Sequence, residues 1–191
     1  MLGNRLKNIL VISALLIVPS AESAQSKKSA DDMKPDTAER PHENELLSSD
    51  ESFLNKAAEA GLAEIEAAKL AQKKSISSEI KDFAAQMIAD HTKLNDELIA
   101  LAVQKGATLP RKPTLMQQEE LKTMAALEHT FDKCYVDRMA VSAHEKAVAL
   151  FKESAEKSED VDVKAFAKNK LLSLESHLEM AKILKSTFST N

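Results

Sequence analysis

Apolar and small residues recur every three or four positions along four long segments of this chain, which is the spacing of one face of an α-helix. Such a face has to be buried against other helices, so four amphipathic segments of similar length predict an all-α bundle. Only 3 glycines and 5 prolines occur among the 191 residues, and this scarcity favours long helices over strands. Charges of both signs are interspersed at a net charge of −4, which argues against nucleic acid as a partner.

Turn and cap residues divide the chain into four long helices and one short one. The periodic stretch from 115 to 160 is too long for one ordinary helix, and we predict a break near 128–130 with Thr130 as the following N-cap. The helices are expected at about 52–74, 79–105, 115–127, 131–157 and 161–186. Ser48, Ser49 and Asp50 offer N-caps for the first helix, and Gly106 is a plausible stop for the second.

The long connection at 106–130 decides the predicted topology. It can span a bundle of roughly 40 Å at about 1.5 Å per helical residue. The second and third long helices can therefore run parallel, joined by a crossover that contains the short extra helix. This arrangement is the ferritin-like four-helix bundle.

A single polar residue interrupts the apolar face of each long helix. These residues are Glu64, His91, His144 and His177. In the parallel topology each lies about 13 to 17 residues from the same end of the bundle, so their depths agree within roughly 6 Å. The pattern therefore predicts that the four side chains meet in one layer, with Asp90 beside His91 as an alternative carboxylate.

Two interpretations of this layer stay open at the level of the sequence. Three neutral imidazoles and a carboxylate suit one transition-metal ion, such as Cu, Zn, Ni or Fe. The same groups can instead form a buried hydrogen-bonded network in a non-catalytic envelope or stress protein without metal. Di-iron ferroxidase chemistry is disfavoured because Glu-x-x-His occurs only at 39–42, with a proline inside it. No pattern typical of an enzyme is present, so catalysis is not expected.

The first 23 residues have the pattern of a secretory signal peptide. Arg5 and Lys7 precede ten apolar residues at 9–18, and the small residues Ala21 and Ser23 suit cleavage. Ten apolar residues are too few for a transmembrane helix, which needs about 20. We therefore expect an exported protein in the periplasm or at the outer membrane, with no membrane-spanning segment after cleavage. The polar residues 24–50 are expected to be a disordered leader before a helical domain at 51–187.

Several segments resemble one family of exported bacterial proteins, the domain of unknown function 4142. They include FDKCYVDRM at 131–139, HEKAVALF at 144–151 and most of 53–110 and 163–184. The resemblance implies a ferritin-like fold and an outer-membrane or periplasmic location, but no established activity.

The recurring polar positions of that family correspond here to Glu64, Asp90, His91, His144 and His177. The chain departs from the family pattern at Ala143, where an acidic residue commonly precedes the third-helix histidine. The resemblance thus implies a site in the same layer with one carboxylate fewer.

Overall fold

The computed structural model describes residues 46–189, and every regular element within this range is a helix. The elements are α1 (Ser48–Lys74), α2 (Ser78–Gln104), α3 (Leu115–Ala125), α4 (131–157) and α5 (Val161–Ser189). The predicted all-α fold is therefore confirmed. Among these helices none combines the length and the apolar character that crossing a bilayer requires. The signal peptide at 1–23 and residues 24–45 of the leader lie outside the described residues.

The first helix begins earlier than its sequence pattern suggested. Leu47 is the N-cap residue of α1, and no side chain caps this end of the helix. The prediction that Ser48, Ser49 or Asp50 caps α1 is therefore wrong, since all three lie inside its first turn, and the expected leader boundary at 50 is three residues too late. Asp50 has a different partner. Its carboxylate is buried and accepts the backbone N–H of Asp160 at 3.0 Å.

Local side-chain chemistry accounts for the other helix ends. The Ser77 hydroxyl accepts the Ile80 N–H at the start of α2, and Gly106 follows α2 with a φ of 71°. Thr114 and Gln117 form a reciprocal capping box at the start of α3. The predicted break before α4 is present, although the Thr130 side chain makes no capping hydrogen bond.

Helix α4 changes its hydrogen-bonding register along its length. It starts as an α-helix at Phe131–Cys134, continues as a π-helix over Tyr135–Ala143 and returns to α-helix at His144–Lys157. In the π segment each N–H bonds the carbonyl five residues earlier, which rotates the following residues relative to a regular α-helix. His144 is the first residue after that segment.

Polar contacts bring four helix ends together at one end of the helices that the structure describes. Asp50, at the start of α1, bonds Asp160 between α4 and α5. Lys105, which follows α2, lies 2.8 Å from the Asp160 carboxylate and 2.6 Å from that of Asp162. The C-terminal ends of α2 and α4 therefore lie at the same end, and the connection between these two helices carries α3.

Two clusters of buried apolar residues form the core, one towards each end of the long helices. The first includes Ala68, Phe83, Phe131, Tyr135 and Leu184. The second includes Leu54, Leu98, Phe151, Val163 and Leu174. On each long helix the two clusters are separated by a short stretch, and these four stretches contain the polar residues singled out from the sequence.

Candidate metal centre

One buried polar residue from each long helix lies between the two apolar clusters. The exposed fractions are 5% for Glu64, 2% for His91, 1% for His144 and 3% for His177. The structure thus brings together all four residues that the sequence placed at a common depth. Polar atoms buried to this extent need a hydrogen-bond partner or a bound ligand.

The imidazole rings face one another at short range. His91 Nε2 lies 2.9 Å from Glu64 Oε2 and 3.3 Å from His144 Nε2. The ring centroid of His177 is 5.4 Å from that of His91 and 5.6 Å from that of His144. One nitrogen from each of the three histidines lies within 4.8 Å of the other two. Glu64 adds an oxygen to the same group through its contact with His91.

Asp90 is placed at the edge of this layer. Its side chain is 41% exposed, and its Oδ2 atom lies 2.9 Å from His177 Nε2. The Ser173 hydroxyl is 3.5 Å from the same nitrogen. His177 therefore uses Nε2 towards the surface, which leaves its Nδ1 as the nitrogen available to a ligand. A carboxylate on the outer nitrogen of a histidine is the usual way that metal-binding imidazoles are oriented.

Several polar atoms of the layer have no hydrogen-bond partner among residues 46–189. They are both carboxylate oxygens of Glu64 and the Nδ1 atoms of His144 and His177. The 2.9 Å contact between Glu64 and His91 is close, but it lacks the alignment of a hydrogen bond. Each unsatisfied buried polar atom costs about 1–3 kcal/mol. A cation bound between these atoms would remove this cost.

The pKa values of the four buried groups are shifted in different directions by burial and by the charges of their neighbours. Burial works to raise the pKa of Glu64, but the surrounding imidazoles outweigh it and hold that pKa below its ordinary range. Burial works to lower the pKa of His91, yet Glu64 opposes it strongly enough to leave this pKa raised. Burial lowers the pKa of both His144 and His177. At neutral pH the layer therefore holds an ionised carboxylate and two neutral imidazoles with free lone pairs.

The spacing of these atoms fits the coordination shell of a single ion. Two ligands bound at 2.0–2.1 Å lie about 3.3 Å apart at a tetrahedral angle and about 2.9 Å apart at a right angle. The observed separations of 3.3 Å and 2.9 Å around His91 Nε2 match these values. The upper limit of 4.8 Å among the three nitrogens requires a small inward movement of one ring. Three imidazoles and a carboxylate form a donor set suited to Zn, Cu, Ni or Fe.

The alignment of α1 with α2 depends on a close contact whose partner residue the sequence did not identify, although the small residues around Gly61 predict close helix approach. A Cβ atom added to Gly61 would lie 2.4 Å from Asn95 Oδ1. Gly61 lies one turn before Glu64, and Asn95 lies one turn after His91. The absence of a side chain at position 61 therefore allows the two helices to approach until Glu64 reaches His91. A glycine on a stripe of small residues was the available signal, but its partner on α2 could not be identified from spacing.

The π segment of α4 is the second missed feature. It ends directly before His144, so the change of hydrogen-bonding register lies immediately ahead of a candidate ligand. π-Helical segments are frequent at functional sites. Three consecutive buried residues, Met139, Ala140 and Val141, mark the change of register. Such a run was visible in the sequence only as a lapse in the helical period.

Solved structures with a similar fold include one protein in a copper-bound form. A DUF305 fragment from Deinococcus radiodurans superposes with a TM-score of 0.63 at 11% identity, covering 73% of this chain and 97% of that one. The protein titled "CopM in the Cu(I)-bound form" has a TM-score of 0.61 at 19% identity and covers 73% and 96%. A conserved hypothetical protein, rv2844, from Mycobacterium tuberculosis has a TM-score of 0.59 at 17% identity and covers 73% and 92%. These likenesses establish a shared fold.

Sequence comparison gives a family rather than an activity. Among curated proteins no significant match is found. A family model does match residues 33–184, which include α1 to α4 and most of α5, and thus all five candidate ligands. The predicted resemblance is therefore confirmed, and the chain belongs to the family described as a domain of unknown function, DUF4142.

Proposed function

We propose that this chain is an exported, ferritin-like four-helix-bundle protein that holds one transition-metal ion between Glu64, His91, His144 and His177. The observation that carries the proposal is the convergence of three buried imidazoles and a buried carboxylate with unsatisfied polar atoms. Buried polar groups without partners are rare in folded proteins. Their concentration in one layer is accounted for by a ligand that accepts several lone pairs at once.

Each side chain has a specific role in this proposal. His91 and His144 would bind through Nε2, and His177 through Nδ1, because Asp90 occupies its other nitrogen. Glu64 would provide a negatively charged oxygen and neutralise part of the charge of the ion. Asp90 acts as the carboxylate that orients His177. The proposed activity is binding and sequestration, and a bound copper ion would in addition supply one-electron redox chemistry.

Among the candidate metals, copper has the strongest support. Divalent copper binds nitrogen and oxygen donor sets more tightly than nickel, zinc or iron does. Two structures with the same fold are titled CopM in its Cu(I)-bound and Cu(II)-bound forms. Zinc, nickel and iron remain chemically compatible with the donor set and are included in the test below.

Export is part of the proposal and has its own test. The signal-like residues 1–23 support secretion, and the periplasm or the outer membrane is the proposed location. N-terminal sequencing of the protein from the cell envelope should give a chain that begins near Ala24. An intact residue 1–23 segment on protein recovered from the cytosol would contradict export.

A second function is favoured by two contacts already present without an ion. Glu64 Oε2 lies 2.9 Å from His91 Nε2, and Asp90 Oδ2 is hydrogen-bonded to His177 Nε2 at the same distance. A buried polar network of this kind can fix the register of the helices in a structural or interaction protein of the envelope. In that case the histidines would serve stability, and metal would bind weakly or not at all.

Titration calorimetry with Cu, Zn, Ni and Fe separates the two functions. The chain should be tested as wild type and as His91→Ala, His144→Ala and His177→Ala. The matched control is His129→Ala, since His129 is exposed and outside the layer. We expect one ion per chain, with each layer variant losing more than the roughly 10–100-fold typical of an outer-shell residue. Equal binding by all variants, or none by the wild type, would favour the structural network.

A further inference from the structure

A cavity of about 560 Å³ lies between α1, α3 and the π segment of α4. Of the five candidate ligands, only Glu64 is part of its lining. Glu64 is also the most deeply buried carboxylate there, with 5% exposed. The cavity therefore extends from the surface to Glu64, whose carboxylate oxygens are themselves covered, and none of the three histidines is part of its lining.

The outer wall of the cavity is held by little apolar burial. The N-cap residue Thr114 and, within α3, Met116 and Glu120 are part of the lining, yet Met124 is the only fully buried residue of this helix. An ion pair between Arg138 and Glu120 at 2.7 Å also links it to α4, and exposed pairs of this kind contribute little to stability. Segments with few buried contacts open most easily. We therefore expect α3 to be the wall of the cavity that opens most easily.

The lining does not repel a cation. Its charged side chains balance, three positive against three negative: Lys56, Arg138, Lys146, Glu59, Glu64 and Glu120. Two methionines lie in the same lining. Met116 is 82% exposed at the mouth, and Met139 is 8% exposed on the inner wall. Thioether sulfur is a soft ligand and selects monovalent copper over harder ions.

We infer that this cavity is the entry route to the histidine layer and that its two thioethers favour Cu(I) as the ion that enters. The inference rests on the proposed metal site, and it adds the path by which the ion enters and the oxidation state of that ion. An ion meets Met116 first, passes Met139 and reaches Glu64, which is the first of the ligands on this path. No oxidation or reduction is involved, since the ion only exchanges ligands.

Rates of metal uptake test the route independently of the affinity. Stopped-flow mixing with Cu(I) and with Zn(II) should be done on Ala143→Leu and Ala60→Leu, which narrow the cavity from opposite walls. The matched control is Ala107→Leu, because Ala107 is also partly buried but lines a different cleft beside α2. Both narrowing variants should take up either ion at least about tenfold more slowly with a similar equilibrium affinity. Release of the ion should then slow by the same factor, whereas most binding-site variants change the off-rate alone.

The preference of the two thioethers for Cu(I) is tested by a separate measurement. Met116→Leu should slow Cu(I) uptake and leave Zn(II) uptake unchanged, while the control Met180→Leu, on α5, should change neither. Equal slowing of both ions by Met116→Leu, or no slowing, would overturn the preference for Cu(I). Wild-type uptake rates in both narrowing variants would overturn the route and leave the metal site intact. Failure of the wild type to bind any ion would instead overturn the proposed function.

Discussion

The contact between Gly61 and Asn95 allows a sharp prediction about how the site is held. The change is Gly61→Ala, which adds a methyl group 2.4 Å from Asn95 Oδ1 and 3.1 Å from Asn95 Cγ. Non-bonded carbon atoms prefer about 3.5–4.0 Å, so the Asn95 side chain or one of the helices has to move by about 1 Å. Asn95 is buried, with 7% exposed, and has little room to rotate.

Two opposing effects set the change in the free energy of unfolding. Alanine is favoured over glycine inside a helix by about 1 kcal/mol. An extra methyl group in a packed interface costs about 1–3 kcal/mol, so the net loss should be about 0–2 kcal/mol. In an Asn95→Ala background the obstacle is gone, and Gly61→Ala should instead stabilise the chain by about 1 kcal/mol. The coupling energy between the two positions is then about 1–3 kcal/mol.

Urea denaturation of the metal-free wild type, both single variants and the double variant measures this coupling. The matched control is Gly106→Ala. Gly106 has nothing within 4 Å and a φ of 71°, so its substitution costs backbone strain, which should be the same in both backgrounds. If Gly61→Ala changes the stability of both backgrounds equally, the two helices are not limited by this contact and the reasoning is refuted.

Three further outcomes are expected. Metal affinity should fall by about tenfold per pH unit as the pH drops through the raised pKa of His91, because a protonated imidazole cannot bind a metal ion. Glu64→Gln should move this fall to lower pH. Zinc titrations at several pH values measure the affinity, and the absence of such a fall would contradict the prediction. Thr114→Ala should destabilise α3 by about 1 kcal/mol, seen as faster amide exchange confined to that helix, and exchange rates like those of the wild type would contradict the capping role. Phe151→Ala should lower the free energy of unfolding in urea by about 3–5 kcal/mol, whereas Leu172→Ala, at an exposed site, should leave it within about 0.5 kcal/mol.

The depth of the polar residues could be predicted from the sequence because it depends on few quantities. The rise of an α-helix is constant, and the choice of which helix ends meet follows from the length of the 106–130 connection. Errors of a few residues in the predicted helix ends change the predicted depth of Glu64 and His144 along the bundle by only about one helical turn. The common layer was therefore predictable, even though the start of α1 was not.

Contacts between residues far apart in the sequence could not be predicted from helical spacing. Asp50 caps nothing locally, because the backbone N–H of Asp160, 110 positions later, is its partner. Asp90 and His91 are adjacent in sequence, and the helical spacing did not distinguish which of them faces the core. In the structure the Asp90 side chain is 41% exposed and His91 is buried. Which neighbour faces inward depends on the rotation of α2 about its axis. Hydrophobic spacing defines that rotation only to within about one residue.

The polar layer is divided evenly between two helical hairpins. Glu64 and His91 belong to α1 and α2, joined by a three-residue turn, and His144 and His177 belong to α4 and α5, joined by another short turn. Each hairpin is local in sequence, so it can form before the two dock, but neither carries a complete set of ligands. An ion that needs all four residues can therefore be bound only once the two hairpins have docked. An ion bound between the two hairpins would cross-link them and slow their separation during unfolding.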